Sequence, residues 1–156
     1  MTFTQSFALQ KALFSTITSD PYLQGLGVSC YDRVSDTGFP YVTIGEDVLG
    51  EMDYDCGILN QITSTVRVYS RAPGKGEAKE IAGILQRILT KRFGFDMNEG
   101  DKFKVVSGHC DGFSVNNHED GLTTQIELTF VYMIADTIVL GRLDSALGAL
   151  TVSSLA

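Results

Sequence analysis

Over thirteen positions from Leu122 to Ile134, the residues Leu122, Ile126, Leu128, Phe130, Tyr132 and Ile134 share one parity, and Thr123, Gln125, Glu127, Thr129, Val131 and Met133 share the other. Successive strand residues point to opposite faces, so this segment is one long strand with an apolar side and a polar side. Such a strand is stable only in a sheet whose apolar face is covered by another layer.

The rest of the chain supplies that sheet and its cover. Ile58, Ile62, Val66 and Val68 alternate with Gln61, Thr63, Thr65 and Arg67, which predicts a second half-buried strand from Ile58 to Arg71. Phe103 to Val106 starts a further strand, and the turn residues Asn116 to Gly121 join it to the long one as a hairpin. Val28 to Val34 and Phe39 to Gly45 are shorter strand candidates. Sixteen glycines against three prolines fit a chain with many turns.

Two segments read as helices. Residues 3–18 place Phe3, Phe7, Leu13, Phe14 and Ile17 on one face, with Thr2 and Gln5 at capping-box spacing and Asp20-Pro21 as the stop. In the second, Ala78, Ile81, Ala82, Leu85, Ile88 and Leu89 follow helical spacing; Glu77 and Glu80 occupy the first turn, Arg87, Lys91 and Arg92 the last, and Gly94 ends it. The expected fold is therefore α+β: an antiparallel or mixed sheet with two helices on one face and a long hairpin. Residues 1–136 make the domain, and 137–156 form an extension in which Leu140, Leu143, Leu147 and Leu150 are spaced 3, 4 and 3 apart.

Composition narrows the function. With 12 Lys+Arg against 19 Asp+Glu, the net charge of −7 offers no basic face for reading nucleic acid. A chain of 156 residues makes one domain and buries roughly 68–70% of the surface its unfolded form exposes. The start of the chain lacks the pattern of a secretory signal, and the run Leu128 to Leu140, broken by Thr129, Asp136 and Thr137, is too short and polar to span a bilayer. Cys30, Cys56 and Cys110 are odd in number and form no CxxC, so they are expected to be reduced thiols of a cytosolically made protein.

Candidate chemistry is sparse. Gly74-Lys75-Gly76 opens a helix but lacks the spacing and the hydroxyl residue of a phosphate-binding loop. His109, Cys110, Asp111, His118, Glu119 and Asp120 are potential metal ligands, and a small metal-dependent enzyme using His109, Cys110 or His118 is the contrary reading. Adjacent strand residues such as His109 and Cys110 point apart, however, which works against one shared ion. No nucleophile elbow is present, and no cofactor is expected. Glu46, Asp47, Glu51, Asp53 and Asp55 form an acidic group in a loop or a long hairpin tip. They lack calcium-loop spacing and are either a solvated acidic loop or a surface that docks a basic partner or repels an anion.

Several segments, in order, resemble a known family. Cys30-Tyr31-Asp32-Arg33-Val34 followed by Phe39-Pro40-Tyr41-Val42-Thr43-Ile44-Gly45-Glu46 is similar to the signature of the phage tail-completion family, the tail terminators or tail-to-head joining proteins of long-tailed phages and gene transfer agents. Thr65 to Arg71, then Gly74 and Glu77-Ala78 at a helix start, resembles its second signature, and Gln125 to Ile134 its last strand. The resemblance covers about residues 5–136; the stretch 46–57 is richer in charge than the family pattern, and 137–156 runs past its usual end. It implies a virion protein, assembled in the host cytoplasm, that forms a hexameric ring without catalysis. The ring would end the tail tube, contact the tube protein on one side and a head-side connector or stopper on the other, and pass DNA through its lumen without specific binding or any membrane. A head-completion connector at the neck is the neighbouring alternative. On this reading the five carboxylates are lumen or partner-facing candidates, and Leu140, Leu143 and Leu147 are docking candidates.

Overall fold

In a computed structural model of the chain, residues 2–31, 38–51, 59–97, 103–117 and 121–136 are described. The elements follow in the order α1 (Thr2–Ser19), α2 (Pro21–Gly25), β1 (Ser29–Tyr31), β2 (Tyr41–Glu51), β3 (Leu59–Ser70), α3 (Gly76–Ile88), a 3-10 turn (Lys91–Phe93), β4 (Phe103–Asn117) and β5 (Thr124–Asp136). The strands form one mixed sheet in the order β1-β2-β3-β5-β4, with β1 parallel to β2 and every other pair antiparallel. The expected α+β layer is therefore present.

The two long alternations meet in register. Val66 pairs with Leu128, Val68 with Ile126 and Ile62 with Tyr132, so the apolar parity of β3 lies beside that of β5 on one face of the sheet. Helices α1 and α3 cover this face with Leu9, Leu13 and Ile17 from the first and Ala78, Ile81, Ala82 and Leu85 from the second, all buried. Each leucine or isoleucine so enclosed contributes roughly 1.5–3 kcal/mol relative to exposure.

Several expectations are corrected. Phe7 and Phe14, assigned to the buried face of the first helix, are 59% and 46% exposed. Leu9 and Leu13 define the inward direction, and at 100° per residue the two aromatics fall on the opposite flank. Gln5 is buried, and its Oε1 accepts a hydrogen bond from Asn60 Nδ2 at 2.8 Å, tying α1 to β3. Asp20-Pro21 ends α1 but also starts α2, because Asp20 Oδ2 caps the Leu23 N–H at 3.0 Å and Pro21 occupies the first helical position. Lys91 and Arg92 lie beyond α3, in the 3-10 turn that Gly94 closes at φ 102°. Leu122 precedes β5 and is exposed.

Of the two readings for the segment after Glu46, a loop or a long hairpin tip, the second fits: β2 continues as strand through Glu51 and pairs antiparallel with β3 as far as Asn60. Conversely β4 runs fifteen residues, well past Val106, with irregularities between Val105 and Ser107 and between Cys110 and Gly112. One glycine makes this packing possible. A Cβ on Gly108 would stand 2.5 Å from Tyr132 Cδ1, so only a glycine lets β4 pass the tyrosine ring.

Candidate functional site

Among the described residues no helix covers the other face of the sheet, and its polar residues come from the second parity of the same strands. At its centre Arg67 of β3 donates from Nε to Glu127 Oε2 and from Nη2 to Glu46 Oε2, both at 3.0 Å. Arg67 and Glu127 are directly paired across β3 and β5. Glu46 reaches the same side because the β2 register shifts between Ile44 and Asp47: unbroken alternation from the buried Ile44 would turn Glu46 inward, whereas the extra residue turns it to this face and Asp47 to the helices. Gly45 clears the way: a Cβ there would lie 2.6 Å from Arg67 Nη1 and 3.0 Å from the Thr65 carbonyl oxygen.

Electrostatics follow from that geometry. The hydrogen bond and charge of Arg67 hold the Glu46 carboxyl below its ordinary value. Partial burial works against the Arg67 charge, but the bonds to Glu46 and Glu127 outweigh it and raise its pKa further. The Glu46 side chain is solvent-exposed, so this cluster fixes orientation more than it adds stability.

Beside the charged centre sits an aromatic group. Tyr41 stacks on Tyr69 at 4.8 Å between centroids, meets Tyr31 edge-on at 5.8 Å and touches Phe39 at 5.0 Å. The Arg71 guanidinium lies 4.2 Å above the Phe39 ring and donates to Thr123 Oγ1 at 3.2 Å. Next to it, Ser70 Oγ accepts from the Ala72 N–H and donates to Glu77 Oε1 at 2.8 Å, joining the end of β3 to the first turn of α3. This contact is the physical content of the Tyr-Ser-Arg to Glu-Ala motif.

The acidic group is thus divided. Glu46 faces the open side; Asp47 faces the helices and accepts from Ser6 Oγ at 2.8 Å, with its Oδ1 buried and unpartnered. Glu51 ends β2, while Asp53 and Asp55 lie outside the described residues, as do Leu140, Leu143, Leu147 and His118. His109 is exposed, 4.0 Å from Asp111, whereas Cys110 turns to the helix side and takes a hydrogen bond from Gln86 Nε2 at 3.6 Å. Among the described residues, no three His, Cys, Asp or Glu side chains converge as a metal site.

A second surface was not legible beforehand. Phe7, Lys11 and Phe14 of α1, Cys30 and Tyr31 of β1 and Ile44 of β2 line a mainly apolar groove of about 440 Å³ at the β1 edge of the sheet. Its signal in the sequence was the seven-residue spacing of two phenylalanines, which reads equally well as core.

A family model described as "Tail completion protein gp17" matches residues 11–133. Among solved structures, the chain is similar to one from "Virion of native gene transfer agent (GTA) particle", with a TM-score of 0.69 and 19% identity over 83% of this chain and 96% of that one. It is also similar to "Structure of bacteriophage SPP1 gp17 protein", with a TM-score of 0.57 and 23% identity over 86% and 94% of the two chains. At these identities the two structures establish a shared fold. No curated protein matches the chain.

Proposed function

This chain belongs to the tail completion protein gp17 family, and from that premise we propose that six copies close into a ring that terminates the tail tube and joins it to the head. As a tail completion protein it is a component of the virion. The observation that carries the proposal is the family match across residues 11–133, nearly the whole α+β domain.

Physical chemistry supports a ring. Contacts between two different patches, repeated around an axis, close on themselves and leave two unlike end faces. One end face meets the tube protein and the other a head-side connector or stopper. Six chains at −7 carry about −42, a field that keeps the DNA polyanion from adhering to the lumen wall during transit. On this reading part of the group Glu46, Asp47, Glu51, Asp53 and Asp55 faces the lumen or an adjoining ring; Glu46, whose side chain is exposed, is better disposed to do so than Asp47, which is engaged by Ser6. The leucines at 140, 143 and 147 serve as a docking arm.

Electron microscopy of the purified protein tests the ring. Sixfold particles of tube-like diameter are expected, and a monodisperse monomer at high concentration would overturn the proposal. A ring structure with every one of the five carboxylates on its outer wall would remove the lumen assignment while leaving the ring.

A further inference from the structure

Phe7 and Phe14 stand outward on one flank of α1, seven residues and about 10 Å apart along the helix. Between them Lys11 Nζ lies 4.8 Å from the Phe7 ring centroid, and the groove they border continues over Cys30, Tyr31 and Ile44. Exposed aromatics beside an apolar trough are the usual receptor for a helix that presents residues at i, i+3 and i+7. Leu140, Leu143 and Leu147 have that spacing, and their outer pair is also seven residues apart.

We infer that this groove receives the leucine face of residues 137–156 from an adjacent copy of the chain. The inference rests on the ring reading and specifies one of its subunit contacts. The topology decides between the chain's own arm and a neighbour's. Strand β5 delivers Asp136 at the side of the sheet away from β1, because β2 and β3 lie between β1 and β5 in the strand order. Three strand spacings amount to about 14 Å. The four residues from Asp136 to Leu140 reach about 14 Å when fully extended, and that reach is spent before the helix layer is crossed. An arm leaving one side of each subunit for a groove at the opposite edge of the next is a head-to-tail contact, the kind that closes a ring.

Cys30 lines the groove and provides the probe. In the full chain carrying Cys56→Ser and Cys110→Ser, a Leu143→Cys substitution followed by copper-phenanthroline oxidation is expected to give a ladder of covalent oligomers that disappears when Cys30→Ser is added. The double variant Phe7→Ser/Phe14→Ser, at exposed positions, is expected to keep the wild-type circular dichroism melt while weakening self-association about tenfold or more. A disulfide found only within monomers, a ladder indifferent to Cys30→Ser, or wild-type assembly by the double variant would each overturn the inference. Rings seen by microscopy together with any of those results would leave the ring reading standing. A Cys30-dependent dimer without rings at any concentration would sink the ring and keep the arm-in-groove contact.

Discussion

Replacing Gly108 by alanine adds one methyl group where β4 crosses the face of Tyr132. The new carbon would fall 2.5 Å from Cδ1 and 2.8 Å from Cε1 of a ring that is fully buried. Tyr132 has little room to retreat: it packs against Phe95 and Phe130, and its hydroxyl donates to the Leu89 carbonyl oxygen at 2.7 Å. That enclosure is also what pushes the phenol pKa well above its usual value, with burial as the main cause and the nearby Cys110 and Asp47 adding to it. Forcing the ring aside costs about 1–3 kcal/mol as overpacking. Losing the hydroxyl bond, with both groups still buried, costs about 1–3 kcal/mol more. Urea denaturation of Gly108→Ala should therefore show a loss of about 2–6 kcal/mol with little change in slope. In a Tyr132→Leu background the clash is absent, and the same substitution should be neutral or stabilise by up to about 1 kcal/mol, since glycine is a poor strand residue. Equal losses in the two backgrounds would refute the account.

The remaining expectations concern the polar contacts. Gly45→Ala should displace the Arg67 guanidinium and cost about 1–3 kcal/mol by denaturation, more than Glu46→Gln, which removes only a salt-screened surface partner. Asp96 has its pKa held below the ordinary 3.8, because Lys91 and the Val105 and Met97 N–H groups outweigh the opposing effect of burial. Its contribution is consequently complete above that value and is lost as pH falls through the lower folded value. Asp96→Asn should cost roughly 1–3 kcal/mol at neutral pH, and its stability curve should start to approach wild type below about pH 3.8 and meet it once pH has fallen through the lower folded value; a gap that does not narrow over that range would contradict the linkage. Ser64 is buried with an unpartnered hydroxyl, so Ser64→Ala should be neutral or stabilise by up to about 1 kcal/mol in thermal or urea melts. A loss beyond about 1 kcal/mol would mean that the hydroxyl bonds the Asp47 oxygen across the strand pair.

The candidate surfaces divide along the same physical line as the fold. Arg67 and Glu127 each sat on a polar parity readable from the chain, but their meeting depends on the register of β3 against β5, which no local pattern encodes. Glu46 and Asp47 read as one acidic group, but adjacent strand residues face opposite ways, and a single irregularity in β2 decides that Glu46 is the outward one and Asp47 the inward one. Phe7 and Phe14 looked like core because apolar residues at helical spacing usually are; only the direction in which Leu9 and Leu13 pack shows that the two rings face outward.

By itself, then, the alternation from Leu122 to Ile134 determined that this chain needs a long strand with one covered face, and the helical spacing from Ala78 to Leu89 determined a helix able to cover it. Those are period-2 and period-3.6 patterns, which the backbone imposes locally. Tertiary structure decided the parallel placement of β1, the gap that Gly108 leaves for Tyr132, and the groove beside β1. Each of these depends on residues distant in sequence being brought within a few ångströms, and it is packing between layers, not local preference, that fixes such distances.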